Sequence, residues 1–318
     1  MILQNIVGYG TQLIDIQLHR PHMAACYVVE DAGQIAIIDC GTQHSVPQVM
    51  AAIERTGYTA AQVRWIIPTH VHLDHAGGAG QLMQRCPEAT LVTHPNGLPH
   101  LIDPSLLQAS ASSVYGAAIF AQDYGTLQPI PEARCQPAED NQAFQLGNRQ
   151  LTYIHTPGHA SHHGCILDSA SHYLFTGDIF GLSYPEFATP TPYMIATTTP
   201  VGFEPDAWQQ SLDRLLALDI AAVCLAHFGK YTQPALLAEQ LRHSIELHRQ
   251  IAIQEETQPL TGRHERLQQA LQQRLIADAS QHSGLTTSQV QALLVDDIDL
   301  NAQGLAVWLS RRAKHRKQ

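Results

Sequence analysis

Four times this chain runs an apolar strand straight into residues of the kinds that bind metal ions, and that repeated layout limits its fold more than any other feature. The densest case is Val63-Arg64-Trp65-Ile66-Ile67-Pro68 leading into Thr69-His70-Val71-His72-Leu73-Asp74-His75. A glycine-rich run, Ala76-Gly77-Gly78-Ala79-Gly80, leaves the segment toward a helical pattern at Gln81 to Arg85. In extended backbone His70 and His72, two apart, point the same way and can share one ion. Asp74 and His75 fall near the helix start and can project toward a second ion. Glycines there allow close approach of backbone and helix. The other three segments are Leu151 to Thr156 entering Pro157-Gly158-His159, Tyr173 to Thr176 entering Gly177-Asp178, and Ala222 to Ala226 entering His227-Phe228-Gly229. Imidazoles with carboxylates suit zinc, and also iron or manganese.

The order HxHxDH, TPGH, TGD and AHFG resembles the metallo-β-lactamase superfamily, in register over about the first 230 residues. Thr69 to Gly80, Pro99 to Ser105 and Thr156 to His163 are similar to a glyoxalase/lactonase-like branch of prokaryotic metal-dependent hydrolases with unassigned substrate. The resemblance implies an α/β fold, an αββα sandwich. It implies His70, His72 and His159 around one ion, Asp74, His75 and His227 around a second, and Asp178 bridging both. The cofactor is then two divalent ions, zinc first, with iron or manganese as alternatives. Asp74 would be the catalytic residue, holding metal and nucleophile. Asp39, in the early Asp39-Cys40-Gly41 turn, would orient a ligand or the backbone rather than bind an ion. An aspartate at 178 resembles the glyoxalase, lactonase and phosphodiesterase branches, since relatives that destroy β-lactams often carry cysteine or serine there.

The implied reaction is metal-assisted hydrolysis of a small ester, thioester, lactone or phosphoester. Two alternatives stay open: a mononuclear iron oxygenase of the persulfide dioxygenase type, using His70, His159 and Asp178, and a catalytically silent metal-binding scaffold. The stretch from Phe180 to Phe203 holds Pro185, Pro190, Pro192 and Pro200 and cannot be a regular helix. It is the candidate substrate loop, with Phe187, Tyr193 and Met194 as pocket residues. His162, just past His159, is a candidate partner of the ligands or proton donor.

The 318 residues suit one large domain plus an appendage. Short strands and a hairpin about Asp31-Ala32-Gly33 open the chain. Helical spacing is expected over Val46 to Arg55 and Asp206 to Leu218. Beyond about residue 234 strands cease, and helices are expected over Pro234 to Glu256, His264 to Gln281, Gln289 to Val295 and Asn301 to about Arg312. The division is therefore a catalytic domain over 1–234 and a helical region over 235–318. A net charge of −10 disfavours nucleic acid as a partner, and the basic end from Arg311 to Lys317 reads as a solvated terminus. Six scattered cysteines without a CxxC pair, a Met1 to Ile6 start unlike a secretion signal, and no long apolar run lead us to expect a cytoplasmic protein with reduced thiols and no membrane contact. The expected partner is a small-molecule substrate, with a homodimer as a further option.

Overall fold

A computed structural model describes residues 5–189, 191–199 and 201–316. Met1 to Gln4, Pro190, Pro200 and Lys317, on which parts of the leader, loop and tail expectations rest, lie outside the described residues. The chain forms two compact, interleaved units. Unit one comprises residues up to Thr156, His162–Gly177 and Asp219–Thr232; unit two comprises Pro157–Ser161, Asp178–Leu218 and the chain from Gln233 onward.

Unit one holds both sheets. The first has strands β1 (Asn5–Gly8), β2 (Thr11–Asp15), β3 (Ala25–Asp31), β4 (Gln34–Ile38), β5 (Val63–Ile67), β6 (Thr90–Thr93) and β7 (Cys135–Pro137), adjacent in chain order. The second has β8 (Gln142–Leu146), β9 (Arg149–His155), β10 (Gly164–Asp168), β11 (Tyr173–Phe175), β12 (Ala222–Leu225) and β13 (Gly229–Tyr231), also in chain order. The hairpin expected at Asp31 forms: β3 and β4 pair antiparallel, and Ala32 and Gly33 both take positive φ, 47° and 81°. A two-residue turn of that kind matches the twist of the strands.

One apolar core fills the space between the sheets. Tyr27, Ile38, Trp65, Ile67 and Val92 from the first meet Phe144, Leu151, Tyr153, Phe175 and Cys224 from the second. Trp65 packs edge-on against Phe144 at 5.4 Å and donates from Nε1 to the Gln145 carbonyl, so a large ring is buried without an orphaned donor. The helices Val46–Arg55 and Ala79–Arg85 pack on the first sheet, which explains why β4 and β5 are apolar at nearly every position rather than alternating.

Unit two is helical. Pro205–Leu216, Pro234–Glu255 and Arg263–Ser283 lie close to the expected spans. The last two expected helices are in fact one, Thr287–His315, begun by the Thr286–Gln289 capping box. The acidic stretch Asp296 to Asp299, where the sequence suggests a break, does not interrupt it. The apolar spacing runs through, with Val290, Leu294, Ile298, Ala302, Leu305 and Leu309 all buried. The acids find partners beside the helix: Asp297 accepts from Tyr184 Oη at 3.0 Å, and Asp299 from Gln268 Nε2 at 3.2 Å. The proline-rich loop is tied across its neck by a bridge between Leu182 and Ile195 and has one short 3-10 turn, Pro185–Phe187. Among the described residues no helix is long and apolar enough to cross a membrane, and the six cysteines are free thiols, five of them buried.

Candidate metal centre

Unit one gathers five of the seven expected ligands, and strand pairing explains how. β4 and β5 are parallel with Ile38 beside Ile67, so Asp39 and Thr69 leave the sheet as neighbours. Asp39 takes φ +56°, a left-handed conformation that aspartate tolerates better than most residues. Its buried Oδ1 accepts from the Thr69 N–H at 2.8 Å and the Thr69 hydroxyl at 2.9 Å. Its Oδ2 accepts from His75 Nδ1 at 3.1 Å. Having given its proton to Asp39, the Thr69 hydroxyl accepts from His70 Nδ1 at 3.1 Å. One carboxylate thus orients two imidazoles and leaves their lone pairs on Nε2.

His227 leaves β12 and donates from Nδ1 to the Met23 carbonyl at 2.8 Å. His75 Nε2 and His227 Nε2 each lie 3.1 Å from Asp74 Oδ2, and one ligand atom from each of Asp74, His75 and His227 lies within 4.8 Å of the others. Burial pushes the Asp74 carboxyl up, but the charge on His75 and hydrogen bonds from His227 and His75 outweigh it and hold the acid well below the usual carboxylate range. With Nδ1 protons committed to Asp39 and to a carbonyl, both Nε2 atoms face a carboxylate oxygen at 3.1 Å, an arrangement that requires positive charge among them, as protons on Nε2 or as a cation in their place. Two imidazoles and a carboxylate at this spacing fit a divalent cation. His70 and His72 are edge-on at 4.4 Å, and His162 lies 6.3 Å from His70 and 6.0 Å from His72, ring to ring. His163 instead bonds the Thr156 hydroxyl at 2.8 Å, fully buried, and supports the turn.

Unit two holds the other two, His159 and Asp178. Gly158 has φ +143°, and a Cβ there would collide with the Trp208 backbone, so only glycine lets the turn pass over that residue. His159 donates from Nδ1 to the Thr197 carbonyl at 2.7 Å, meets the Trp208 ring edge-on at 5.9 Å, and places Nε2 at 3.5 Å from Asp178 Oδ2. Trp208 in turn donates to the carbonyl of Ile179, next to Asp178, at 2.7 Å. His159 therefore shares the tautomer of His70, His75 and His227, with Nδ1 engaged by the protein.

The expected pocket residues are also in unit two. Phe187 and Met194 are buried, and Tyr193 packs its ring 6.4 Å from Phe187 and 5.1 Å from His282. Burial and the nearby Asp278 push the Tyr193 phenol up. Sequence reading missed Thr69, Thr197, Trp208 and the Met23 carbonyl. Of these, Thr69 alone carried a signal, its place in the histidine motif; a carbonyl has no sequence signature.

The sequence model of the metallo-β-lactamase superfamily matches residues 19–227, more than half of the chain. The chain belongs to this superfamily. A metallo-β-lactamase fold-containing protein, ST1585 of Sulfurisphaera tokodaii, is 28% identical over 234 residues, 71% of this chain and 80% of the relative. The solved structure of ST1585 matches with a TM-score of 0.63 at 24% identity, covering 94% of this chain and 98% of that one. The metallo-β-lactamase family protein TTHA1429 from Thermus thermophilus matches at 0.64 and 18% identity, covering 96% and 94%. These likenesses agree with the αββα class that the four motifs imply. An acyl-coenzyme A thioesterase, MBLAC2 of Gallus gallus, is 26% identical over 130 residues; the match spans 36% of this chain and 40% of that protein. Superfamily membership together with the His/Asp cluster supports a metal-dependent hydrolase in general.

Proposed function

We propose that this superfamily member hydrolyses a small ester, thioester, lactone or phosphoester with two divalent ions, zinc in the first place. His70, His72 and His159 would hold one ion, Asp74, His75 and His227 the other, and Asp178 both. The observation that carries this reading is the Asp74–His75–His227 group, three donors within 4.8 Å that a single-ion oxygenase would not need. Thioesters are the first class to test, because MBLAC2 is named an acyl-coenzyme A thioesterase.

Two such ions, when bound, supply a water of lowered pKa and polarise the substrate oxygen. The chain's own residues prepare for that. Asp39, Thr69, Met23 and Thr197 hold the Nδ1 protons of His75, His70, His227 and His159, so all four imidazoles offer Nε2. Asp74 faces His75 and His227 with Oδ2, and its side chain is 21% exposed while theirs are 1% and 9%. Its other carboxylate oxygen would accept a hydrogen bond from an attacking water, and its lowered pKa keeps it an ionised acceptor at neutral pH.

Elemental analysis of protein purified without added metal, paired with a panel of an acyl thioester, a lactone and a phosphodiester, tests the proposal. Two zinc per chain and hydrolysis that falls roughly 10²–10⁴-fold in Asp74→Ala are expected. One iron per chain, no hydrolysis and oxygen uptake with a persulfide would overturn it.

A further inference from the structure

The last helix carries one polar residue where its apolar face should be. Val290, Leu294, Ile298, Leu305 and Leu309 are buried, and among them stands Asn301, only 2% exposed. Burying an amide costs about 1–3 kcal/mol unless it is hydrogen-bonded. Asn301 is bonded on both sides, to Thr198 and Ala196 of the proline-rich loop and to His248 of the helix Pro234–Glu255. Its Oδ1 accepts from the Thr198 N–H at 2.6 Å, and its backbone carbonyl accepts from the Thr198 hydroxyl at 3.1 Å. Its Nδ2 donates to the Ala196 carbonyl at 3.0 Å and to His248 Nε2 at 3.3 Å. From the helix Pro234–Glu255, Ser244 accepts the Ala196 N–H at 2.9 Å.

One turn beyond Asn301, Gly304 lies against the same segment. A Cβ on Gly304 would run into the Thr198 carbonyl, so helix and loop touch backbone to backbone. Both neighbours of Thr197 are therefore clamped, and the carbonyl of Thr197 between them takes the Nδ1 proton of His159. All of these contacts lie inside unit two.

We propose that Asn301 is a positioning residue: by clamping Ala196 and Thr198 it sets the Thr197 carbonyl, and so the tautomer and direction of the His159 imidazole. The C-terminal helix then governs metal affinity from a position that touches no ligand. The step from His159 to a metal rests on the function proposed above; the geometry up to the imidazole does not.

Two readouts on the full chain test this. In metal-free protein, the ¹⁵N resonances of the His159 ring, identified by their loss in His159→Ala, report the tautomer and the protection of the Nδ1 proton. Zinc alone, titrated against a chromophoric chelator, reports affinity. Wild type is expected to show a protected Nδ1–H. Asn301→Ala and Gly304→Ala are expected to expose it, mix the tautomers and weaken zinc binding roughly 10–100-fold. Thr198→Val, which removes one hydroxyl, is the milder variant should the others not fold, and Thr198→Ser is expected to behave as wild type. Tyr184→Phe, which loosens the same helix at Asp297, is expected to leave both readouts unchanged. Folded Asn301→Ala and Gly304→Ala proteins with a wild-type His159 signal and zinc affinity would overturn the proposal. A changed His159 signal in a protein whose wild type binds no zinc would sink the metal reading and leave the positioning role standing.

Discussion

His70 and His75 of unit one and His159 of unit two are oriented by opposite means, while His227 of unit one relies on the neutral Met23 carbonyl. For His70 and His75 a buried charge does it over a short reach: Asp39 is 30 residues from Thr69, on strands that are direct neighbours. In unit two neutral groups do it over a long reach. Thr197 is 38 residues from His159, and Asn301 is 103 from Thr198. Parallel strands ending in register must leave Asp39 beside Thr69, so any chain that forms this sheet acquires that support. The clamp on His159 forms only if two helices, Pro234–Glu255 and Thr287–His315, pack correctly on the loop, which makes it the more easily disturbed half.

The largest expected effect that separates the two regions is on acid stability. His248 is fully buried, and burial pushes its pKa down to about 4 although its bond to the Ser244 carbonyl opposes this. Its Nε2 must stay unprotonated to accept from Asn301. Because the folded value lies below the ordinary 6.5, the unfolded chain binds the extra proton between these limits. Stability is complete above about pH 6.5 and is lost as the pH falls toward 4, by up to about 3 kcal/mol. Hydrogen exchange of the Pro234–Glu255 and Thr287–His315 helices across this range should show the loss, and His248→Gln should flatten it. An equal pH slope in the variant would mean another group carries the effect, such as His94 of unit one, which burial and His155 also push down to about 4.

A smaller effect is expected at the charge of unit one. Asp39→Asn keeps an oxygen for Thr69 but offers His75 Nδ1 an amide donor instead of an acceptor. Zinc affinity should fall roughly 10–100-fold, with the His75 tautomer altered and the His159 signal intact. If both histidines changed together, the two supports would not be independent. The smallest effect is that of Tyr184→Phe, which removes the bond to Asp297 and should cost about 1 kcal/mol in urea unfolding. A loss several times larger would mean that this contact helps to hold the clamp itself.

Legibility followed the same division. The strand exits at Thr69, Thr156, Thr176 and Ala226 can be read because an apolar run ending in a ligand-type residue is a local pattern. The hairpin at Ala32-Gly33 and the helices Val46–Arg55, Pro205–Leu216, Pro234–Glu255 and Arg263–Ser283 are legible for the same reason, whereas Ser105–Tyr115 and Ala117–Asp123 are not anticipated. The last helix reads as two because three aspartates in four positions look like a break when their partners are unknown. The role of Asp39 can be anticipated only from the family's turn motif. Nothing local distinguishes Thr197 or Asn301, since a threonine and an asparagine bond to whatever packing brings near them.

The sequence by itself determined the order of strands and helices, the superfamily and the candidate ligands, because those depend on periodicity and on residue type within a few positions of one another. Only the tertiary structure decided which atom of each histidine is offered and what holds it there. That choice is made by the hydrogen bond on the opposite nitrogen, and its partner, a carboxylate, a hydroxyl or a carbonyl, arrives from a distant part of the chain.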